Sequence, residues 1–285
     1  MSALRKIAIL FATVALLFLC WGGSQDAIAT TKVNDGMIRA LASFATARSL
    51  NAAISVAQES SVSASFFGVG GILAIGQILD PINDLIESFS SLMLVACVAF
   101  GTQAILLKIG AEWILMAILS AVMTIWAGLN LLEHKSPNWL SRIALILIMV
   151  RFAIPMTIIG SDFVFENFLA GEYVDSQNSV SKATKTLEEI NTEKPKFIVK
   201  EQPPAEPGII EKYTGIKTET LKVPDFNIVE NTKMKYDSAI YELNGAVRKT
   251  INLIVIFLLQ TVFVPIFILW AMYGIGKNAL EFRIK

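Results

Sequence analysis

Residues 145–160 read LILIMVRFAIPMTIIG and are as apolar as a membrane-spanning helix, except that Arg151 and Pro155 lie within them. A helix that crosses about 30 Å of hydrocarbon needs about 20 mostly apolar residues. Arg151 lies nine residues beyond Arg142, which places it roughly 13 Å deeper along a helix. Because an arginine at the centre of a membrane helix costs about 2.5–3.5 kcal/mol, we expect Arg151 to face protein or water and to have hydrogen-bond partners.

The composition also indicates a membrane protein. Of the 285 residues, 54% are hydrophobic and only 17% are charged, whereas about a quarter of the residues in soluble domains are charged. Four apolar blocks reach or approach spanning length, and they occupy residues 89–109, 113–132, 143–160 and 251–273. The sequence therefore predicts an all-α, polytopic membrane helix bundle. The net charge of zero provides no field that would attract nucleic acid.

The first 29 residues resemble a targeting segment. Arg5 and Lys6 precede a long apolar run, and the small residues Ala27 and Ala29 fit the rule for signal-peptide cleavage after residue 29. The same pattern also fits an uncleaved signal anchor, so residues 1–29 are interpreted as a signal peptide or a signal anchor. Either way, residue 30 onward starts outside the cytoplasm. This organisation is typical of a multi-pass protein of the bacterial inner membrane.

Residues 36–58 are expected to form an alanine-rich helix, because their apolar residues recur at spacings of three and four. Residues 30–88 are predicted to form an extracytoplasmic, amphipathic or interfacial region. The short link 110–112 predicts an antiparallel hairpin between blocks 89–109 and 113–132. Small residues recur at four-residue steps in the second of these blocks and predict close helix packing in lipid; they are Ser120, Thr124 and Gly128.

Residues 161–249 are predicted to be a soluble insertion with an antiparallel helical stalk and a proline-rich tip. Two heptad seams carry this prediction, namely Val180–Ala183–Leu187–Ile190 and Tyr236–Ile240–Leu243–Val247. They predict helices over about 174–192 and 233–249, and five prolines between 194 and 232 exclude one continuous helix. Counting crossings from a cytoplasmic N-terminus, the fourth puts the insertion in the cytoplasm and the fifth puts the C-terminus in the periplasm. Residues 250–285 supply the last span, 251–273, and a basic tail.

Two glutamines are the predicted partners of Arg151. Gln103 and Gln260 lie near the middle of their own apolar blocks, and Pro155 frees the carbonyl of Arg151 itself. Pro155 and Pro265 are predicted helix breaks, and broken helices with polar centres are one indication of a transport pathway. The alternative is that Arg151 holds the helix bundle together, and we favour this alternative because no acid is evident inside the membrane to relay protons.

No catalytic, metal or cofactor site is expected. The single histidine, His134, has no nucleophile marked beside it, and the two cysteines do not form a CxxC pair. We therefore expect a non-enzymatic scaffold or assembly protein of the inner membrane. Its partners would be the lipid bilayer and a protein bound through residues 161–249, and a homo-oligomer is compatible with the sequence. The alternative is a small channel or transporter that uses Arg151 for an anionic solute.

Overall fold

The computed structural model describes residues 3–65, 73–132, 137–192 and 226–284, and these ranges are helical apart from short turns. The helices within them, in chain order, are α1 (Ala3–Gly22), α2 (Ser24–Ser65), α3 (Leu73–Gly110), α4 (Trp113–Leu131), α5 (Asn138–Val164), a π-helical turn (Phe165–Leu169), α6 (Ala170–Thr192), α7 (Phe226–Leu258), a second π-helical turn (Leu259–Phe263) and α8 (Val264–Ile284). His134 and the proline-rich tip at 194–225 lie outside the described residues.

The described helices include several that could cross a membrane. Four stretches are long and apolar enough; they are Leu79–Gly110, Trp113–Leu131, Asn138–Thr192 and Ser238–Lys277. A fifth candidate consists of α1 and α2 together, which meet at a bend of 48°. The bend is located at Gly23, whose φ of 62° is readily adopted only by glycine. The prediction of an all-helical protein with several membrane helices is confirmed.

The long helices α2 and α3 form an antiparallel pair. The buried residues of α2 alternate at spacings of four and three from Ala29 to Ala57, which is the period of a helix-packing seam. Phe100 of α3 packs over Gly36 of α2. Further along the pair, Gln58 Nε2 donates a 2.7 Å hydrogen bond to Asp80. The contacted residue number rises along α2 while it falls along α3, so the two helices are antiparallel, and the two contacts define their register.

The helices α6 and α7 form a second antiparallel pair. Val180, Ala183 and Leu187 of α6 are buried, as their heptad spacing predicts. On α7 the buried positions are Ala239, Leu243, Ala246 and Thr250. Of the predicted α7 seam, Leu243 is buried, whereas Ile240 and Val247 pack against the same core and are only partly buried. The side chain of Tyr236 lies outside the described residues. Lys182 and Glu242 form an ion pair of 2.8 Å across this pair of helices.

The two pairs pack together into one four-helix bundle. Gln177 of α6 bonds to Thr46 of α2 at 2.6 Å, and Asn191 of α6 donates to the carbonyl of Ala53 at 3.0 Å. Helix α7 packs against α3. Residues 30–65 and 170–192 are in direct contact, so a bilayer cannot separate them. The expectations that residues 30–88 lie outside the cytoplasm and that residues 161–249 lie inside it therefore cannot both hold.

A second group of helices continues from this bundle. Helix α5 leads into α6 through the first π-helical turn, so that residues 138–192 form one long helical rod. Helix α8 runs antiparallel to α5, with Ile268 against Gly160 and Leu145 against Gly276. The expected hairpin of blocks 89–109 and 113–132 is absent, because α4 packs against α1 and α5 and not alongside α3. Only Glu112, which has an extended backbone, separates α4 from the turn after α3.

Each helix of the second group is thus the continuation of a helix in the first. The chain forms four rods, of which two are continuous, α5 with α6 and α7 with α8. The rod of α1 with α2 is bent by 48°, and the rod of α3 with α4 is interrupted at residues 111 and 112. One end of the assembly is the four-helix bundle of α2, α3, α6 and α7, called the upper bundle below. The other end contains α1, α4, α5 and α8, called the lower bundle. The charged core described next lies where the two meet.

Candidate functional site

Arg151 is fully buried at the junction, where it binds the end of α1 and the start of α2. Its Nη1 donates to Oδ1 of Asp26 at 2.8 Å, and its Nη2 donates to Asp26 Oδ2 and to the carbonyl of Cys20 at 3.2 Å. The exposed fraction of the Arg151 side chain is 0%. An arginine and a carboxylate that meet through two hydrogen bonds form the strongest kind of ion pair.

The bend at Gly23 produces both partners of Arg151. Carbonyl groups in the last turn of a helix have no intrahelical donor, and Cys20 lies in the last turn of α1. Asp26 lies in the first turn of α2, where the helix dipole favours a negative charge. A single glycine in the left-handed region therefore places a free carbonyl and a carboxylate on the same guanidinium.

A second buried charge cluster lies further along α5. Asp162 is 3% exposed and forms ion pairs with two cations of α2, Arg39 and Lys32, each at 2.9 Å. Lys32 also pairs with Glu166, which is 55% exposed. The guanidinium of Arg39 lies 3.9 Å from the ring centroid of Phe165, within cation–π range. The cluster ties α2 to α5 and to the first π-helical turn.

The predicted polar cluster of Arg151, Gln260 and Gln103 is not formed. Both terminal nitrogens of Arg151 are bound by Asp26 and Cys20, and within the described residues the Arg151 Nε has no partner. Gln260 lies buried in the second π-helical turn, and its Oε1 has no hydrogen-bond partner in the described part of the chain. Gln103 is half-buried on α3. The partner was missed because Asp26 lies within the segment interpreted as a signal-peptide end.

The two prolines have different outcomes. Pro155 is buried within α5, which remains one helix from Asn138 to Val164. Pro265 is the second residue of α8 and follows the π-helical turn Leu259–Phe263. The rod is helical on both sides of Pro265, and a proline inside a helix removes the hydrogen bond to the carbonyl four residues earlier. The helix at Pro155 is therefore not broken, and the irregular turn near Pro265 precedes the proline.

The predicted packing stripe makes one specific contact. Ser120 accepts a 2.9 Å hydrogen bond from Trp21 Nε1 of α1. Thr124 is exposed, and a Cβ on Gly128 would meet no atom within 4 Å, so these two residues do not pack closely against another helix of the described chain. Close approach occurs instead at three glycines that the spacing did not single out; they are Gly36, Gly160 and Gly276.

The charged side chains of the junction neutralise one another. Arg151 is paired with Asp26, Lys32 and Arg39 share Asp162, and Lys32 also pairs with Glu166. Within the described ranges, no group of three histidine, cysteine, aspartate or glutamate side chains is arranged to hold a metal ion. The buried ion pairs join neighbouring rods. Removing one partner of such a pair strongly destabilises a protein, because it leaves a buried charge unpaired.

The fold and the junction define an all-helical protein with four or five stretches that are long and apolar enough to span a membrane. No family model matches the chain, and no curated protein or solved structure is found to be similar to it.

Proposed function

We propose that the protein is a non-enzymatic scaffold or assembly protein of the bacterial inner membrane, with residues 161–249 as the region that contacts a protein partner. The observation that carries this proposal is the complete burial and double hydrogen bonding of Arg151. A cation that is already neutralised by Asp26 is not available to an anionic solute. This pairing favours the scaffold over the alternative, a channel or transporter that uses Arg151.

The continuity of the rods also supports a scaffold. Residues 138–192 form one helical rod that begins in the lower bundle and ends in the upper bundle. The upper bundle is held by packing along its length, by the Lys182–Glu242 ion pair and by the hydrogen bonds of Gln177. A rigid bundle projecting from a membrane anchor presents a fixed surface. Fixed surfaces suit assembly, since little conformational entropy is lost on binding.

The orientation that we propose places the upper bundle in the periplasm and both termini in the cytoplasm. Basic residues near the lower-bundle ends of the rods are Arg5, Lys6, Arg142 and Lys277. In the sequence, Lys135 lies between α4 and α5. Lysine and arginine in short loops beside membrane spans favour the cytoplasmic side. Four crossings, by α1, α4, α5 and α8, place the N-terminus, the 133–136 link and the C-terminal tail on the same side of the membrane. Five crossings would place the two termini on opposite sides.

The function is tested by photo-crosslinking in intact cells together with a flux assay. A photo-reactive residue replaces Tyr241, which is 82% exposed on α7, and as a control Ile146, which is 58% exposed on α5. A scaffold gives a protein adduct of one defined mass from position 241 and none from position 146. An adduct of twice the chain mass identifies a second copy as the partner.

The flux assay uses purified protein in vesicles that contain a chloride-sensitive dye. We expect no protein-dependent chloride flux from the wild type. Protein-dependent flux that is lost in Arg151→Gln, at equal amounts of folded protein, would favour the channel and would overturn the scaffold proposal.

A further inference from the structure

The small-residue pattern that predicts cleavage after residue 29 lies inside a folded helix. Ala29 is 0% exposed and lies in the core of the upper bundle, within the α2 helix that begins at Ser24. Proteolysis concentrates at exposed and poorly ordered backbone. In the folded protein this bond is therefore closed to a peptidase.

The residues on the N-terminal side of that bond also supply every hydrogen bond that Arg151 makes in the described structure. Asp26 and the carbonyl of Cys20 both precede Ala29. Cleavage after Ala29 would remove them at once and leave a buried guanidinium in an apolar setting. An uncompensated buried charge is strongly destabilising. Within a bilayer, a charged side chain near the centre of a helix is costly as well.

Other contacts hold α1 in place. Cys20 is 0% exposed and packs in a small apolar core with Leu119, Met123 and Ala144 from α4 and α5. Trp21 donates its indole N–H to Ser120. A cleaved targeting segment has no need of specific contacts with the mature chain, whereas α1 packs against α4.

We infer that α1 is retained in the mature protein as a permanent membrane helix, and that Arg151 holds it in place by binding the carbonyl of Cys20 and the carboxylate of Asp26. The pair Arg151–Asp26 closes the lower bundle after α5 has been inserted, because the two residues lie 125 positions apart in the chain. Residues 1–29 are thus a signal anchor and not a signal peptide. This inference does not depend on the scaffold proposal, since a channel would need the same helix.

The inference is tested with a chain tagged at both ends. Intact-mass measurement of the purified wild type should give one species that includes α1, detected by both tags. A mature chain that starts at residue 30 would overturn the inference.

The role of Arg151 is tested with single variants and a charge exchange. Arg151→Ala and Asp26→Asn should each reduce accumulation by roughly tenfold or more, as expected for a broken buried pair. The matched control is Asp84→Asn, an exposed aspartate on α3, which should leave accumulation unchanged.

The double variant Arg151→Asp with Asp26→Arg should recover a large part of the lost protein. A role for Arg151 that does not involve Asp26 predicts no recovery. If the exchange is no better than the single variants while the wild type still retains α1, then Arg151 is not the residue that holds the helix in place, and that half of the inference is overturned.

Discussion

The aromatic ring of Phe100 on α3 occupies the space that a side chain on Gly36 of α2 would need. A Cβ added to Gly36 would lie 2.5 Å from Phe100 Cε1 and 2.8 Å from Cζ. Real Cβ atoms do not approach other atoms so closely, and the ring belongs to a buried residue with little room to move. The absence of a side chain at one position therefore sets the distance between two 38- to 42-residue helices.

Gly36→Ala should destabilise the protein because it separates α2 and α3. Overpacking of this kind costs about 1–3 kcal/mol, more than the gain of about 0.5–1 kcal/mol when alanine replaces glycine in a helix. Gly245→Ala on α7 is the matched control, since its Cβ would meet no atom within 4 Å. Thermal unfolding in detergent should show a lower Tm for Gly36→Ala and a slightly higher Tm for Gly245→Ala. Equal shifts for the two variants would contradict the close approach at Gly36.

Removal of a buried acid at the junction should have a large effect. Asp162→Asn leaves Lys32 and Arg39 without their shared carboxylate, and the side chain of Asp162 is only 3% exposed. Breaking a buried pair by removing one partner costs about 3–5 kcal/mol. Glu166→Gln removes the other acid bound to Lys32, but that acid is 55% exposed, and the expected cost is about 0–1 kcal/mol. Chemical denaturation of the two variants measures the difference; similar losses would show that burial does not govern this cluster.

Two buried threonines should respond oppositely to the same substitution. Thr250 is 0% exposed on α7, and within the described residues its hydroxyl has no partner. A buried unsatisfied hydroxyl costs about 1–3 kcal/mol, so Thr250→Val should raise the free energy of unfolding by about 1 kcal/mol. Thr184 on α6 is also buried, but its hydroxyl donates a 3.0 Å bond to the Val180 carbonyl. Thr184→Val should therefore lower stability by about 0.5–1.5 kcal/mol. A loss of stability in both variants would indicate that Thr250 has a partner after all.

The pairing of α6 with α7 can be tested by limited proteolysis. Leu187 is 1% exposed between the two helices, and Leu187→Asp would place a carboxylate there without a partner, at a cost of several kcal/mol. Cleavage within α6 and α7 should accelerate, while α5 and α8 stay protected. Val56→Asp is the control, because Val56 is 47% exposed on the same bundle. An unchanged cleavage rate in Leu187→Asp would exclude the packing at this position.

The proposed orientation makes a reporter prediction. An alkaline phosphatase fused after Lys285 should be inactive, and a green fluorescent protein at the same place should fluoresce, because four crossings return the chain to the cytoplasm. A cysteine placed at position 241 should react with a thiol reagent that does not cross the membrane, in a background without Cys20 and Cys97. Active phosphatase at the C-terminus would reverse the orientation.

The sequence predicted the helices better than their interfaces. Heptad spacing located the buried face of α6 at Val180, Ala183 and Leu187. On α7 the bulky Ile240 and Val247 were chosen, whereas Ala239 and Ala246 are the residues that face the partner. Leu243 of the predicted seam is buried, and Ile240 and Val247 pack at the edge of the same core. Closely approaching helices place small side chains at the centre of the contact, so a pattern based on bulky residues alone misses Ala239 and Ala246.

The partners of Arg151 could not be read from periodicity at all. Arg151 and Asp26 are 125 residues apart, and their contact depends on the bend at Gly23 and on the parallel course of α2 and α5. The available signal was that an aspartate lies just beyond the first apolar segment. The Asp162 cluster was not predicted for the same reason. Lys32 and Arg39 are far from Asp162 in the sequence, and their helix was expected to lie on the membrane surface.

The end-to-end arrangement of α3 and α4 implies a hydrophobic mismatch. The apolar blocks 89–109 and 113–132 are separated by residues 110–112, and each corresponds to roughly 30 Å of helix. Placed end to end, they are about twice as long as the ~30 Å of hydrocarbon in one bilayer. Both ends carry exposed aliphatic side chains, with Val95 67% and Ile125 57% exposed. One bilayer therefore cannot solvate the whole rod, and the detergent belt of the purified protein should be taller than that of an ordinary four-helix membrane protein. Small-angle scattering with contrast variation measures this height directly.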